Sequence, residues 1–267
     1  MIDRRTLTKL LGTAATVATV QTALASQRTA QAQSATPPPA RHVGMLVFPG
    51  MTILDLIGAQ QYFAVAPGVT THLVWKTQEP IVSDTGVPVL PTITFDELPE
   101  DLEVLFAPGG FEGSGETISD PEVLDFLASR GERAKYVTSV CTGALILGAA
   151  GLLQGYQATT HWAYHDLLPL VGAEPVQARI VEDRNRITGG GVTSGIDFGL
   201  TLLARLVSED YAKGWQLGTE YDPAPPFDSG TPEKASPFIM EEVMKVLGPR
   251  VEIVREALVG TPGYTGE

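Results

Sequence analysis

The residue best suited to chemistry in this chain of 267 is its single cysteine, Cys141, in the stretch Ser139-Val140-Cys141-Thr142-Gly143-Ala144. A short apolar run, 136–140, precedes it, and a run of small and aliphatic residues follows through Ala150. The thiol therefore falls where a buried strand gives way to a helix. Unpaired backbone N–H groups at a helix N-terminus, and the positive end of the helix dipole, favour thiolate over thiol. A thiolate so placed is a ready nucleophile. A lone cysteine is often no more than a small buried hydrophobe. The sharp turn before Thr142-Gly143 favours the nucleophile instead, because such turns lift a side chain clear of the sheet.

Other reactive residues are sparse. His161, in Thr159-Thr160-His161-Trp162, and nearby His165 have no cysteine cluster around them, so the sequence calls for no metal. His161 reads first as a structural histidine bonded to backbone beneath a loop, with a second possibility that it reaches the site. Gly189-Gly190-Gly191 lacks the spacing of a dinucleotide fingerprint and implies no cofactor. These glycines read as places where backbone must come close to Cys141. Trp75, Trp162 and Trp215 read as packing residues.

The elements that must position Cys141 follow from hydrophobic patterning. Val43–Phe48, Thr71–Lys76, Val104–Ala107 and Tyr136–Val140 are continuous apolar runs rather than alternating ones. They alternate with helical patterns at 54–63, after Asp120-Pro121, after Thr142, at about 196–207 and from about Pro232 to Leu247. Continuous strands alternating with helices mark a parallel sheet covered on both faces. Residues 176–188 read as a hairpin turning at Asp183 to Asn185. Sites in such sheets form at the carboxyl ends of the strands. The loops Pro49–Asp55, Pro108–Gly113 and Gly189–Ser194 all fall at such ends, as Cys141 does.

The N-terminus reads as an address. Arg4-Arg5 is followed by an uncharged stretch rich in Ala, Thr and Val, with small-residue cleavage patterns at Ala23-Leu24-Ala25 and Ala30-Gln31-Ala32. Residues 1–32 are read as a twin-arginine export signal, which places the mature protein in the periplasm. Its threonines and glutamines make a poor membrane span. Residues 33–41, with Pro37-Pro38-Pro39, are a linker; 42–250 form a single domain, and 251–267 a C-terminal tail. The formal net charge is −13, and removing a leader that carries Arg4, Arg5, Lys9 and Arg28 makes it more negative. An acidic surface argues against nucleic acid and against anionic membranes as partners of the mature form. One cysteine allows no intrachain disulfide, so stability has to come from packing.

Taken together, Phe48-Pro49-Gly50-Met51-Thr52-Ile53-Leu54-Asp55, Ala107-Pro108-Gly109-Gly110, Ser139-Val140-Cys141-Thr142-Gly143, Thr159-Thr160-His161-Trp162 and Thr188-Gly189-Gly190-Gly191-Val192-Thr193-Ser194-Gly195-Ile196-Asp197 resemble the ThiJ/PfpI superfamily, and within it the isonitrile-hydrating group. The segment Pro225–Ala235 is similar to that group as well. The resemblance implies a flavodoxin-like three-layer α/β sandwich, a homodimer, and a small-molecule substrate, R–NC, hydrated to an N-substituted formamide. It implies Cys141 as nucleophile, Thr142 beside it, and Asp55 as general acid and base.

The chemistry suits these residue types. A soft thiolate attacks the terminal carbon of the isonitrile, and the developing carbanion needs a proton that Asp55 supplies. Asp55 then has to be protonated near neutral pH, as a carboxyl in apolar surroundings is, and Leu54, Leu56 and Ile57 are expected to provide them. The backbone N–H groups of Gly110 and Thr142 are expected to stabilise the anion. Gly109, Gly190, Val192 and His161 are expected to line the substrate site. Without the resemblance, Asp55 reads first as a surface or capping carboxylate near a helix start.

Related peptidases place His after the nucleophilic Cys, where this chain has Thr142, so peptide hydrolysis is disfavoured. Two readings from other classes remain open at this stage. One is a non-enzymatic binding module, since the chain also resembles the N-terminal domain of AraC-type regulators, although it has no basic helix-turn-helix tail. The other is a redox-responsive protein whose thiolate is oxidised by peroxide.

Overall fold

A computed structural model describes residues 40–266; the expected export signal and most of the linker lie outside them. A seven-stranded sheet runs in the order β10-β11-β7-β6-β1-β2-β5. Its central strands are β1 (Arg41–Leu46), β2 (Val69–Trp75), β6 (Val104–Ala107), β7 (Tyr136–Val140) and β11 (Arg186–Gly189). The short β5 (Ile93–Thr94) closes one edge, and β10 (Ile180–Asp183) the other, while β3 (Ile81–Val82) pairs with β4 (Pro88–Val89) and β8 (Gln157–Ala158) with β9 (Glu174–Pro175) in two small separate sheets. All neighbours are parallel except β10 and β11, which form the expected hairpin. The strands β6 and β7 are buried almost throughout, which explains why they read as continuous apolar runs. The fold is flavodoxin-like α/β, with a mostly parallel central sheet and helices around it.

Helix α1 (Ile53–Phe63) follows β1 and packs on α5 (Ser194–Leu206), and α5 packs on α6 (Glu209–Gly218). Helices α2 (Phe111–Ile118), α3 (Pro121–Arg133) and α4 (Gly143–Ala149) form a second group, with α2 packed on α7 (Pro237–Leu258). Asp120 caps α3 by accepting from the Glu122 N–H, with Pro121 in the first turn, as patterning predicts. The chain leaves β1 for β2 on one side and returns to β6 on the other. The sheet therefore has its switch point between β1 and β6, where such folds place their sites.

Two elements differ from the sequence reading. Residues 111–118 are helical although Gly113 and Gly115 disfavour a helix. Gly113 is needed for contact: a Cβ there would lie 2.6 Å from the Pro49 carbonyl oxygen. The last helix runs to Leu258 rather than ending near Leu247, so residues 251–258 are not part of a tail. Leu247, Val251, Val254 and Leu258 form one buried stripe, and that burial carries the helix through Pro249.

Candidate functional site

Three adjacent strands build the site from their carboxyl ends. Asp55 comes from the turn after β1, Gly109 and Gly110 from the loop after β6, and Cys141 with Thr142 from the turn after β7. Because β6 lies between β1 and β7, its two glycines sit between the carboxyl and the thiol.

Cys141 occupies a left-handed turn, φ 57°, which a residue with a Cβ adopts only at a cost in strain. Its surroundings hold it there. The Cys141 N–H donates to the carbonyls of Gly189 at 3.1 Å and Gly190 at 2.8 Å, and Thr160 Oγ1 donates to the Cys141 carbonyl at 2.7 Å. The residues expected to cradle substrate, Gly190 and the Thr-Thr-His segment, thus fix the nucleophile's backbone.

Gly109 clamps the other half of the site. Its carbonyl accepts from the Thr52 N–H at 2.8 Å, and its N–H donates to Asp55 Oδ2 at 2.8 Å. The start of α1 is also held by Asp84, whose Oδ1 accepts from the Ile53 N–H at 3.2 Å. The Gly110 N–H donates to Thr142 Oγ1 at 3.0 Å, and Ser114 Oγ lies 2.8 Å from the same oxygen. The Thr142 hydroxyl and backbone N–H both favour the ionised form of the Cys141 sulfur. The Gly110 N–H occupies one lone pair of Thr142 Oγ1; when Ser114 donates to the other, the Thr142 proton is free for the sulfur.

These contacts correct several expectations. The N–H groups of Gly109 and Gly110 are occupied by Asp55 and Thr142, so they position those side chains rather than wait for an anion. Of the proposed anion donors, the Thr142 N–H alone faces the sulfur. Leu54 and Ile57 are exposed and do not shield Asp55, because helical spacing turns them outward while Asp55, Leu56 and Ala59 turn inward.

Asp55 is completely buried, and burial raises its pKa to about 8 against the lowering effects of the Gly109 N–H and the Cys141 thiol. Oδ1 receives no N–H or O–H among the described residues. Cys141 is also completely buried. Burial, and then the neighbouring Asp55 charge, push its thiol well above the usual range, outweighing the two donors from Thr142. The resting residue is therefore a thiol, not the thiolate that the helix terminus alone suggested. The sequence shows the helix end; it does not show how completely the sulfur is shut away from water.

His161 is nearly buried and neutral, its pKa lowered to about 4 by burial, and its Nδ1 accepts from the Ala163 N–H at 3.3 Å. Its ring meets Phe111 edge-on with centroids 5.9 Å apart and Tyr164 at 5.8 Å. A groove of about 690 Å³ runs along the outer side of this segment, lined by Thr160, His161, Gly190, Val192, Arg179 and others. Neither Cys141 nor Asp55 lines it. Ser114, Phe111 and Tyr164 are near the site and were not singled out from the sequence. Tyr164 follows His161 by three residues, one helical turn, which is the available signal.

The arrangement is a buried carboxyl–thiol pair with a hydroxyl and one backbone N–H on the sulfur, suited to adding S–H across a small electrophile. Comparison with known proteins agrees with the motifs. The DJ-1/PfpI family model matches residues 41–205. An isonitrile hydratase from Pseudomonas putida is 51% identical over 217 residues, covering 81% of this chain and 94% of that protein. A ThiJ/PfpI family protein from Pseudomonas syringae has a solved structure with TM-score 0.81 and 44% identity, covering 85% of this chain and 98% of the other. The HTH-type transcriptional regulator GbdR of Pseudomonas aeruginosa is 27% identical over 173 residues, and the match spans 46% of it. On its motifs, its fold and these matches, the chain belongs to the DJ-1/PfpI family.

Proposed function

We propose that this protein hydrates organic isonitriles to N-substituted formamides, with Cys141 as nucleophile and Asp55 as the group that moves protons. The buried Asp55–Cys141 pair carries this reading, and the similarity to an isonitrile hydratase supports it. The reactive form is the pair holding one proton. Sulfur attacks the isonitrile carbon while the thiol proton passes to Asp55 and from there to that carbon, giving a thioimidate, R–N=CH–S–Cys141. The Asp55 carboxylate then takes a proton from water as its oxygen adds to the carbon, and delivers that proton to nitrogen. Collapse of the adduct returns the remaining hydroxyl proton to sulfur through Asp55 and releases R–NH–CHO. Thr142 steadies sulfur while it carries negative charge.

The test is formamide production from an alkyl isonitrile. Turnover well above the uncatalysed rate is expected, and none at any pH between 6 and 9 would end the reading. The redox alternative is disfavoured, because a fully buried thiol with a raised pKa offers peroxide little thiolate.

Two further properties are proposed alongside. Export in folded form rests on the paired arginines Arg4-Arg5 and is checked by locating the protein in cell fractions. Dimerisation is supported by the first turns of α7, where Phe238, Ile239, Val243, Met244 and Val246 are all exposed. A helix segment this short and apolar gains little by standing alone. Sedimentation showing only monomer at micromolar concentration would contradict it.

A further inference from the structure

Tyr164 has no part in the steps above, yet among the described residues it is the largest completely buried side chain. Its hydroxyl is shut off from solvent and has no hydrogen-bond partner among the described residues. Its ring is packed on two sides, against His161 at 5.8 Å and Phe111 at 6.4 Å. A buried hydroxyl left unpaired weakens a fold, and a catalytic role is one reason for a protein to retain such a group. Both ring neighbours border the site: Phe111 follows Gly110, which donates to Thr142, and His161 follows Thr160, which holds the Cys141 carbonyl; among ionisable groups Cys141 acts on the hydroxyl most strongly. Burial raises its pKa, and it keeps its proton throughout the working pH range.

Resting on the isonitrile reading, we propose that the Tyr164 hydroxyl is a catalytic hydrogen-bond donor to the substrate-derived nitrogen, engaged once Cys141 has attacked. In R–NC the nitrogen lone pair is drawn into the triple bond and accepts poorly. In the thioimidate the same nitrogen has a free lone pair, and it gains negative charge as water adds. A donor fixed at that point binds the intermediate and the following transition state but not the substrate, which is the condition for raising kcat. The O–H bond of Tyr164 stays intact; the hydrogen placed on nitrogen comes from water through Asp55.

Tyr164→Phe removes the oxygen and keeps the ring. The expected result is a fall in kcat of about tenfold or more with KM changed less than about threefold, as for loss of a donor used only after attack. The melting temperature should equal or exceed that of the wild type, since an unpaired buried hydroxyl has been removed. An unchanged kcat, a loss confined to KM, or a lowered melting temperature overturns the assignment, the last by showing a structural role. Wild-type turnover with an unaffected Tyr164→Phe variant sinks this inference alone. Absence of wild-type turnover sinks the functional reading on which it rests.

Discussion

Cys141 and Asp55 are both completely buried and each acts on the other's hold on its proton, so the two residues titrate as one pair. Burial dominates both members. It leaves Asp55 near 8 and the thiol higher still, so the pair holds two protons below that pH and one above it.

The doubly protonated pair has no base to receive the thiol proton, which fixes the direction of the pH dependence. The rate of formamide formation at low substrate should rise from pH 6 to 9 with one apparent pKa near 8. A profile flat across that range would contradict a reacting pair.

The same shift acts on stability with a determined sign. Between the ordinary Asp value of 3.8 and about 8, the folded protein keeps a proton that the unfolded chain has released, so stability falls as pH rises through that window. Asp55→Asn can still accept from the Gly109 N–H but cannot ionise. Its melting temperature should exceed that of wild type at pH 8 by more than at pH 5, while turnover is lost. Parallel melting curves for the two proteins at both pH values would show that Asp55 is not a buried acid of raised pKa.

Gly109 has no room for a side chain. A Cβ there would lie 2.5 Å from Thr142 Oγ1, 2.6 Å from the Thr142 nitrogen and 2.9 Å from Asp55 Oδ2. Gly109→Ala should lower stability by about 1–3 kcal/mol, as overpacking does. It should reduce turnover about a hundredfold or more, because it pushes on both sides of the pair. Thermal unfolding and steady-state rates check this; wild-type turnover in the variant would mean that the β6 loop does not hold the site.

Ser114 acts on sulfur only through Thr142. Ser114→Ala frees the Thr142 hydroxyl to turn away and should cut kcat roughly three- to tenfold, about 1 kcal/mol for one hydrogen bond. Thr142→Val should cut it further, and the double variant no further than Thr142→Val, since the two hydroxyls act in series. Additive losses in this cycle would separate them.

The sheet was legible because strands such as β6 and β7 are buried almost throughout and read as unbroken apolar runs. Asp55, Gly109, Gly110, Cys141 and Thr142 were legible for a related reason: each stands at the carboxyl end of such a run. Helix α2 was hidden by Gly113 and Gly115, whose low propensity is overridden by close contacts that only the tertiary structure supplies. The end of α7 was hidden by Gly248-Pro249, although the buried stripe from Leu247 to Leu258 runs through it. Ser114 carries no local pattern that marks it, and Tyr164 only its place one turn after His161. The protonation of Cys141 depends on burial, which sequence position does not give; the helix terminus is visible in the sequence and points the opposite way.

The most direct measurement is a rapid acid quench of the protein mixed with an excess of an aryl isonitrile, followed by mass spectrometry of the peptide containing Cys141. A thioimidate path requires that peptide to carry, transiently, the added mass of one isonitrile, and Cys141→Ala to produce no formamide above background. Formamide released at the wild-type rate by Cys141→Ala would show that the sulfur takes no part.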